Sequence, residues 1–332
     1  MRDFLATPQD TSGDGRYVHH VPHNINARFL EVRAIAFYKP QSSVPLKGSD
    51  DSGVLNNWTA ISGAVPRYLG HYQPHIPDHL GYYDLRVPEV LRRQVELARQ
   101  YGVYGFCFQY GQLSDVESLD LPLKQLLSDS NLEIPFCLSC DCDAISGSQE
   151  DSALLELLAR IFADRRYIRI DDKPLLVLSG ILSAADVESS RSRAPDMGLP
   201  GFYIVAVSRS DSNESPAMNV DAIVEDATGR RGVAAKAEFA LIDPLFGGET
   251  YRYSEIMEKY SSTVHSSSVV FKNVVTGWDT EPLYPGNGCS FAEASPALYA
   301  RWLDRCCRHT MSQRPAERFL FISSWNDWLV GA

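Results

Sequence analysis

The chain lacks any apolar run approaching the roughly 20 residues that a helix needs to span a bilayer, so no membrane span is expected. Its first residues, Met1-Arg2-Asp3-Phe4-Leu5-Ala6-Thr7-Pro8, carry none of the apolar stretch that a secretory leader requires. Positive charge is in short supply. Across 332 residues, 31 Lys and Arg stand against 42 Asp and Glu, a formal net charge of -11. That balance argues against nucleic acid or an anionic membrane surface as the main partner. Cysteines are few and odd in number, at seven, and Cys107, Cys137, Cys306 and Cys307 fall inside strand or helix patterns. Reduced, mostly buried thiols in a cytoplasmic protein are therefore expected, not a disulfide framework.

What is present is a series of apolar runs at fairly regular spacing. With 44% hydrophobic residues the chain can bury a sizeable core. Strands are expected at Val32 to Tyr38, Val103 to Tyr110, Ile134 to Cys140, Pro174 to Gly180, Phe202 to Val207, Asp221 to Glu225, Val269 to Val275 and Arg318 to Ser324. Their runs are near-continuous rather than alternating, as in parallel strands covered on both faces. Helical patterns lie between most of them: Pro88 to Tyr101, Ala153 to Phe162 and Ala297 to Arg308, with weaker ones at Leu123 to Leu127, Ala184 to Arg193 and Tyr253 to Tyr260. Eight strands alternating with helices predict a single-domain α/β fold, a (β/α)8 TIM-like barrel over residues 29–332, after an irregular lead-in over residues 1–28. A doubly wound open sheet is the alternative, but no Gly-rich phosphate loop follows the first strand. No residues remain after the last strand for an eighth helix. The chain is then a fragment of a longer protein, or the lead-in or a partner subunit covers that side. An uncovered side would favour a homo-oligomer.

Polar side chains gather where strands are expected to end, which in such a barrel is the active face. The richest stretch, Tyr68 to Asp84, holds three His, four Tyr and two Asp. His71, His75 and His79 are four apart, a spacing that shares one face only on a helix. Pro74 and Pro77 oppose a helix, so a metal site is not expected. A substrate-binding loop and plain loop packing remain. Cys137, Cys140 and Cys142 have no second Cys or His pair at zinc spacing, and buried thiols are the simpler reading. Asp141 and Asp143 follow the third strand, Glu225 the sixth, and Trp278-Asp279 the seventh. The last strand runs into Trp325-Asn326-Asp327-Trp328. Aromatic faces suit sugar rings and carboxylates suit glycosidic chemistry, although any one acid after a strand is also commonplace as loop solvation or helix capping.

These motifs resemble, in order, those of the WbsX-like polysaccharide-biosynthesis proteins, which carry a glycoside hydrolase family 99-like domain. Gly70-His71-Tyr72-Gln73-Pro74-His75 with Leu80-Gly81-Tyr82-Tyr83-Asp84-Leu85-Arg86 is similar to a family hallmark. Ala36-Phe37-Tyr38-Lys39-Pro40-Gln41 resembles a first strand that usually ends Tyr-Leu-Pro-Gln. Tyr104-Gly105-Phe106-Cys107-Phe108 and Pro135-Phe136-Cys137-Leu138 resemble the second and third strands, and Arg166 to Leu175 a further block. Trp278-Asp279-Thr280-Glu281-Pro282 resembles Trp-Asp-Asn-Thr-Pro, and Trp325-Asn326-Asp327-Trp328 resembles Trp-Asn-Glu-Trp.

The resemblance implies a glycan-active barrel of surface-polysaccharide metabolism, without metal or organic cofactor. Its hydrolase relatives cleave endo-α-mannosidic linkages with retention, using two carboxylates three residues apart at the end of the last strand. It makes Asp327 the principal carboxylate, with Asp143 or Glu225 as further catalytic candidates. The substrate-binding candidates are Tyr38, His71, Tyr72, Gln73, His75, Tyr110, Asp141, Trp278, Asp279, Trp325, Asn326 and Trp328. The partner is an oligo- or polysaccharide. Departures from the pattern bear on activity. The family's second acid is Val330 here, and its first is shortened to Asp327. Phe-Thr-Glu-Trp has become Leu55-Asn56-Asn57-Trp58, and Trp-Ala-Asn-Glu-Asn-Trp has become Cys140-Asp141-Cys142-Asp143-Ala144-Ile145. Three readings follow: a glycosidase or glycosyltransferase, a degenerate barrel that binds a glycan or protein without turnover, and a scaffold.

Overall fold

The computed structural model describes residues 30–40, 53–110, 121–141, 152–180, 182–208, 219–228, 235–262 and 269–332. The lead-in read over residues 1–28, and Asp143 and Cys142, lie outside the described residues. In chain order the elements begin with β1 (Arg33–Tyr38), α1 (Gly53–Gly63), α2 (Pro88–Gln100), β2 (Gly105–Gln109), α3 (Leu121–Ser128) and β3 (Phe136–Asp141). There follow α4 (Ser152–Ala163), β4 (Arg169–Ile170), β5 (Lys173–Ser179), α5 (Ala184–Ser192), β6 (Tyr203–Ser208) and β7 (Ala222–Glu225). The remainder comprises β8 (Glu249–Arg252), α6 (Tyr253–Ser262), β9 (Val269–Phe271), β10 (Asn273–Val275), β11 (Cys289–Ala292), α7 (Pro296–Met311) and β12 (Phe319–Ser323).

Nine strand segments pair side by side, all parallel, in the order β10-β12-β1-β2-β3-β5-β6-β7-β9. Its two ends, β9 and β10, are halves of one stave interrupted at Lys272. The first half pairs with β7 and the second with β12, and the Lys272 carbonyl accepts the Phe321 N–H at 2.8 Å. The two ends of the order thus meet in a single stave, and the result is a nearly closed TIM-like barrel with helices between its strands. The sequence pattern read this seventh strand as continuous over residues 269–275. Its break arises because the two halves serve different neighbours.

Register decides which side chains face the lumen. Rings cross the interior from Phe271 to Phe319 (6.0 Å), Phe321 (6.1 Å) and Tyr203 (6.3 Å), and Phe37 stacks on Phe321 at 5.0 Å. Period-2 alternation from these positions sends Cys107, Cys137, Asp141, Val177, Ser179, Val224 and Asn273 inward as well. It sends Tyr38, Phe106, Phe108, Glu225 and Lys272 outward, under the helices.

The helices form where the sequence supplies their ends and faces. Pro88 opens α2, whose buried face carries Leu91, Gln94, Val95, Leu97 and Ala98. A Ser183–Asp186 capping box starts α5. Ser295 caps α7, which buries Trp302 completely, edge-on to Tyr253 at 5.5 Å. Three features were not read from the sequence: α1, the β4–β5 hairpin, and the small parallel sheet of β8 with β11. In the hairpin Asp171 and Asp172 both take positive φ, as a tight two-residue turn requires. Among the described residues no helix is long and apolar enough to cross a membrane.

Outside the barrel wall, Lys272 Nζ donates to Glu225 Oε1 at 2.8 Å, with both side chains all but fully buried. The pair lies beside Cys306 of α7. Burial pushes the Cys306 thiol up to about 12, Lys272 lowering it and Glu225 raising it. Two predictions follow from this packing. Phe271→Ala removes the ring shared by three lumen aromatics and should lower unfolding free energy by about 3–5 kcal/mol in urea titration; a loss under about 1 kcal/mol would show a lumen that collapses freely. Glu225→Gln should cost about 3–5 kcal/mol by stranding a buried ammonium, while Glu225→Met combined with Lys272→Met should recover most of that loss.

Candidate functional site

At the carboxyl end of β12 the chain is held against the end of β1. The Trp325 N–H donates to the Phe37 carbonyl at 2.8 Å. Asn326 then grips the backbone of Lys39 on both sides: the Lys39 N–H donates to Asn326 Oδ1 at 2.8 Å, and Asn326 Nδ2 donates to the Lys39 carbonyl at 2.9 Å. The next residue, Asp327, faces the Lys39 ammonium at 3.7 Å, with side-chain exposures of 21% for the acid and 44% for the base. Burial raises the Asp327 carboxyl above its ordinary range, and Lys39 only partly offsets that rise.

A short turn follows. The Asp327 carbonyl accepts from Val330 N–H and Ala332 N–H, both at 3.2 Å, and Gly331 takes φ 61°. Val330 is buried, and its carbonyl accepts the Asp279 N–H at 2.7 Å. Helix α1 packs on residues 328–330. Tyr83 ties these pieces together: its hydroxyl accepts from Trp328 Nε1 at 2.9 Å and its carbonyl from Trp58 Nε1 at 3.0 Å.

The His-rich loop docks beside this turn. The Arg67 N–H donates to His71 Nδ1 at 3.0 Å, so Nδ1 carries no proton. The proton then sits on Nε2, which donates to Asp279 Oδ2 at 2.6 Å. His71 is thereby held in one orientation, with the Asp279 carboxylate as its acceptor. Asp279 Oδ1 also accepts the Glu281 N–H at 2.9 Å, and Arg67 bridges Glu281 and Asp243, each at 2.6 Å. The Tyr68 ring stacks on His71 at 4.4 Å, and its hydroxyl pairs with Ser290 Oγ at 2.7 Å. Burial pushes that hydroxyl up to about 12. His75 is held below the usual histidine value, mainly by burial, with Asp279 pulling up and His71 down.

Not all of the expected site residues converge. Trp325, Asn326, Asp327, Trp328, His71, His75 and Asp279 belong to one connected region at the barrel mouth. Tyr72 is exposed and meets His75 edge-on at 5.2 Å. Asp141 is lumenal at the end of β3 and accepts from Ser179 Oγ at 2.7 Å. Tyr110 is buried at the end of β2, and its N–H donates to the Ser139 carbonyl at 2.7 Å. Trp278 packs against the outer cluster of Tyr253 and Trp302. Two candidates stand elsewhere. Tyr38 points outward and donates to Gln94 of α2 at 2.7 Å, and Glu225 points outward into its pair with Lys272. Both are one residue out of phase with the lumen.

Lys39, Tyr83, Arg67 and Glu281 were not among the site residues expected from the sequence, whereas Asn57 was noted there only as a departure from the resembled pattern. For Lys39 a signal was present, a cation between the first strand and Pro40. Asn57 and Gln73 are buried, and neither amide has a hydrogen-bond partner among the described residues. Among the described residues no group of three His, Cys, Asp or Glu is placed to hold a metal ion.

Comparison with known proteins places this geometry. The protein WxcX of Xanthomonas campestris pv. campestris strain B100 is 29% identical over 346 residues, covering 96% of this chain and 50% of that protein. WxcX of strain ATCC 33913 is 29% identical over 328 residues, covering 91% of this chain and 47% of that protein. The chain thus spans about half the length of the curated relatives it matches. Among solved structures, a glycoside hydrolase-like protein superposes with a TM-score of 0.54 at 11% identity, covering 96% of this chain and 90% of that one. The GH99 endo-alpha-mannosidase from Bacteroides thetaiotaomicron, in complex with bis-tris propane, gives 0.55 at 13% identity, covering 90% and 85%. These share the fold. The family model for glycosyltransferase WbsX matches residues 34–141 and 142–332, nearly the whole described barrel, and the chain belongs to that family.

Proposed function

We propose that this chain is a glycan-active barrel of surface-polysaccharide metabolism, using Asp327 as a single general base to activate a sugar hydroxyl for glycosyl transfer. The observation that carries the reading is the asymmetry at the end of β12. Asp327 is half-buried, cation-paired and raised in basicity, while the position three residues on is the buried, apolar Val330. Retaining hydrolysis by the family's hydrolase relatives needs both acids. A side chain that neither gives nor takes a proton forfeits about 10²–10⁴-fold. Transfer from an activated donor needs less, because the leaving group departs without protonation and one base suffices for the acceptor. Trp328, Tyr72 and His75 supply the aromatic surface for a saccharide, while Trp325 packs on the outward-facing Phe106 at 5.2 Å and Asn326 positions the base. Asp141, on β3, lies three strands round the ring from Asp327, on the order of 14 Å of sheet, and serves as a hydroxyl partner. Val330 also favours a second reading, glycan binding without turnover.

Purified chain incubated with α-mannosides, with sugar-nucleotide donors and with bacterial surface glycans separates these readings. Transfer without hydrolysis, reduced at least about 100-fold in Asp327→Asn, is the expected result. Retaining hydrolysis of α-mannosides that depends on Asp327 would overturn it. Glycan binding in calorimetry without turnover would favour the second reading, and absence of both would refute a glycan role. The acidic limb of the pH profile is expected above the ordinary aspartate value of about 3.9. A raised carboxyl takes up its proton at higher pH, so base activity is present above that limb and lost as pH falls through it. A limb at or below about 3.9 would mean that Lys39 outweighs burial.

A further inference from the structure

The Lys39–Asp327 pair is not symmetric toward solvent. The ammonium is the more exposed partner, 44% against 21%, and at 3.7 Å the contact is too long to tie up its N–H groups. Its stem leaves a backbone fixed on both sides by Asn326, so the charge is presented from a rigid anchor at the barrel mouth. Beside this pair, α1, which carries Asn57, packs on residues 328–330, and Lys39 stands where the first strand of the resembled pattern usually ends in Leu. The Asn57 amide adds buried donors without a partner among the described residues.

We infer that the mouth takes a saccharide bearing an anionic group, a sugar carboxylate or phosphate, which pairs with Lys39 while a hydroxyl of the same ligand meets Asp327. The inference rests on the glycan reading above and goes beyond it to the class of sugar. An ammonium–anion contact at a half-exposed position is screened by salt, so the preference should be greatest at low ionic strength.

The test is titration calorimetry of the whole chain with matched pairs: trigalacturonate against its carboxyl-reduced counterpart, and mannose 6-phosphate against mannose. The charged member of at least one pair is expected to bind about tenfold or more tighter at low salt, the responding pair telling carboxylate from phosphate. The ratio should collapse toward one in Lys39→Gln and persist in Lys39→Arg, with thermal unfolding of both variants checked to exclude misfolding. Equal binding within both pairs, or a preference that survives Lys39→Gln, would overturn the inference while leaving the glycan reading standing. Binding of none of the four sugars by the wild type would likewise overturn the inference, while the glycan reading is decided by the screen of α-mannosides, sugar nucleotides and surface glycans.

Discussion

Two hydrogen bonds from one amide organise the mouth of this barrel. Asn326 satisfies both the N–H and the C=O of Lys39, and so welds the end of β12 to the end of β1. Each bond contributes only about 0.5–1.5 kcal/mol net, but breaking them leaves partly buried backbone groups unpaired at about 1–3 kcal/mol each. The geometric consequence is larger than the energetic one. Asp327 is the residue after the clamp, and Lys39 is the clamped residue itself. The backbone positions from which the two side chains extend are therefore fixed relative to each other. A surface ion pair formed by free side chains contributes little; one whose stems are anchored loses less entropy on forming.

The second fixed point is the His71–Asp279 contact. A backbone donor on Nδ1 dictates the tautomer, and the tautomer dictates that Asp279 accepts. Asp279 in turn reaches the terminal turn through its own N–H, donated to the Val330 carbonyl. The His-rich loop, the Trp278-Asp279 segment and the residues after β12 are thus one hydrogen-bonded unit. The three motifs far apart in sequence are the parts that must meet for the mouth to have a shape. In that unit His71 and Asp279 hold the wall together, and Tyr72 and the Lys39–Asp327 pair are exposed to solvent in part or in full.

The barrel was legible because its strands are buried on both faces, which turns most of them into apolar runs with few polar interruptions. Which face a given residue uses was not legible, for the same reason. With Ala36, Phe37 and Tyr38 all apolar, nothing local distinguishes lumen from exterior, and only cross-strand register sends Phe37 in and Tyr38 out. Glu225 failed to reach the mouth by the same one-residue phase. Its partner Lys272 sits at the break between β9 and β10, which is a property of two different neighbours rather than of the run itself. The sheet of β8 and β11 pairs residues about 40 positions apart, beyond the reach of any periodicity. Helix α1 was hidden by its own sequence, since Asn56 and Asn57 favour turns over helix interiors.

Val330 stands where the resembled family pattern places an acid. Its N–H and C=O both hold the terminal turn, to Asp327 and Asp279, and any residue at this position provides them. The side chain is free to change so long as it fits a buried slot, and Val fits it without an ionisable group to desolvate. An acid there would supply about 3–5 kcal/mol of barrier lowering to a poor leaving group but nothing to a donor that leaves unassisted. Asp327 moves the other way. Burial raises its basicity, and Lys39 offsets part of that rise. A strengthened base beside a missing acid is what hydroxyl activation requires when the bond being broken needs no proton. The same loss of the acid that weakens the case for hydrolysis is therefore consistent with the transfer chemistry proposed for this site.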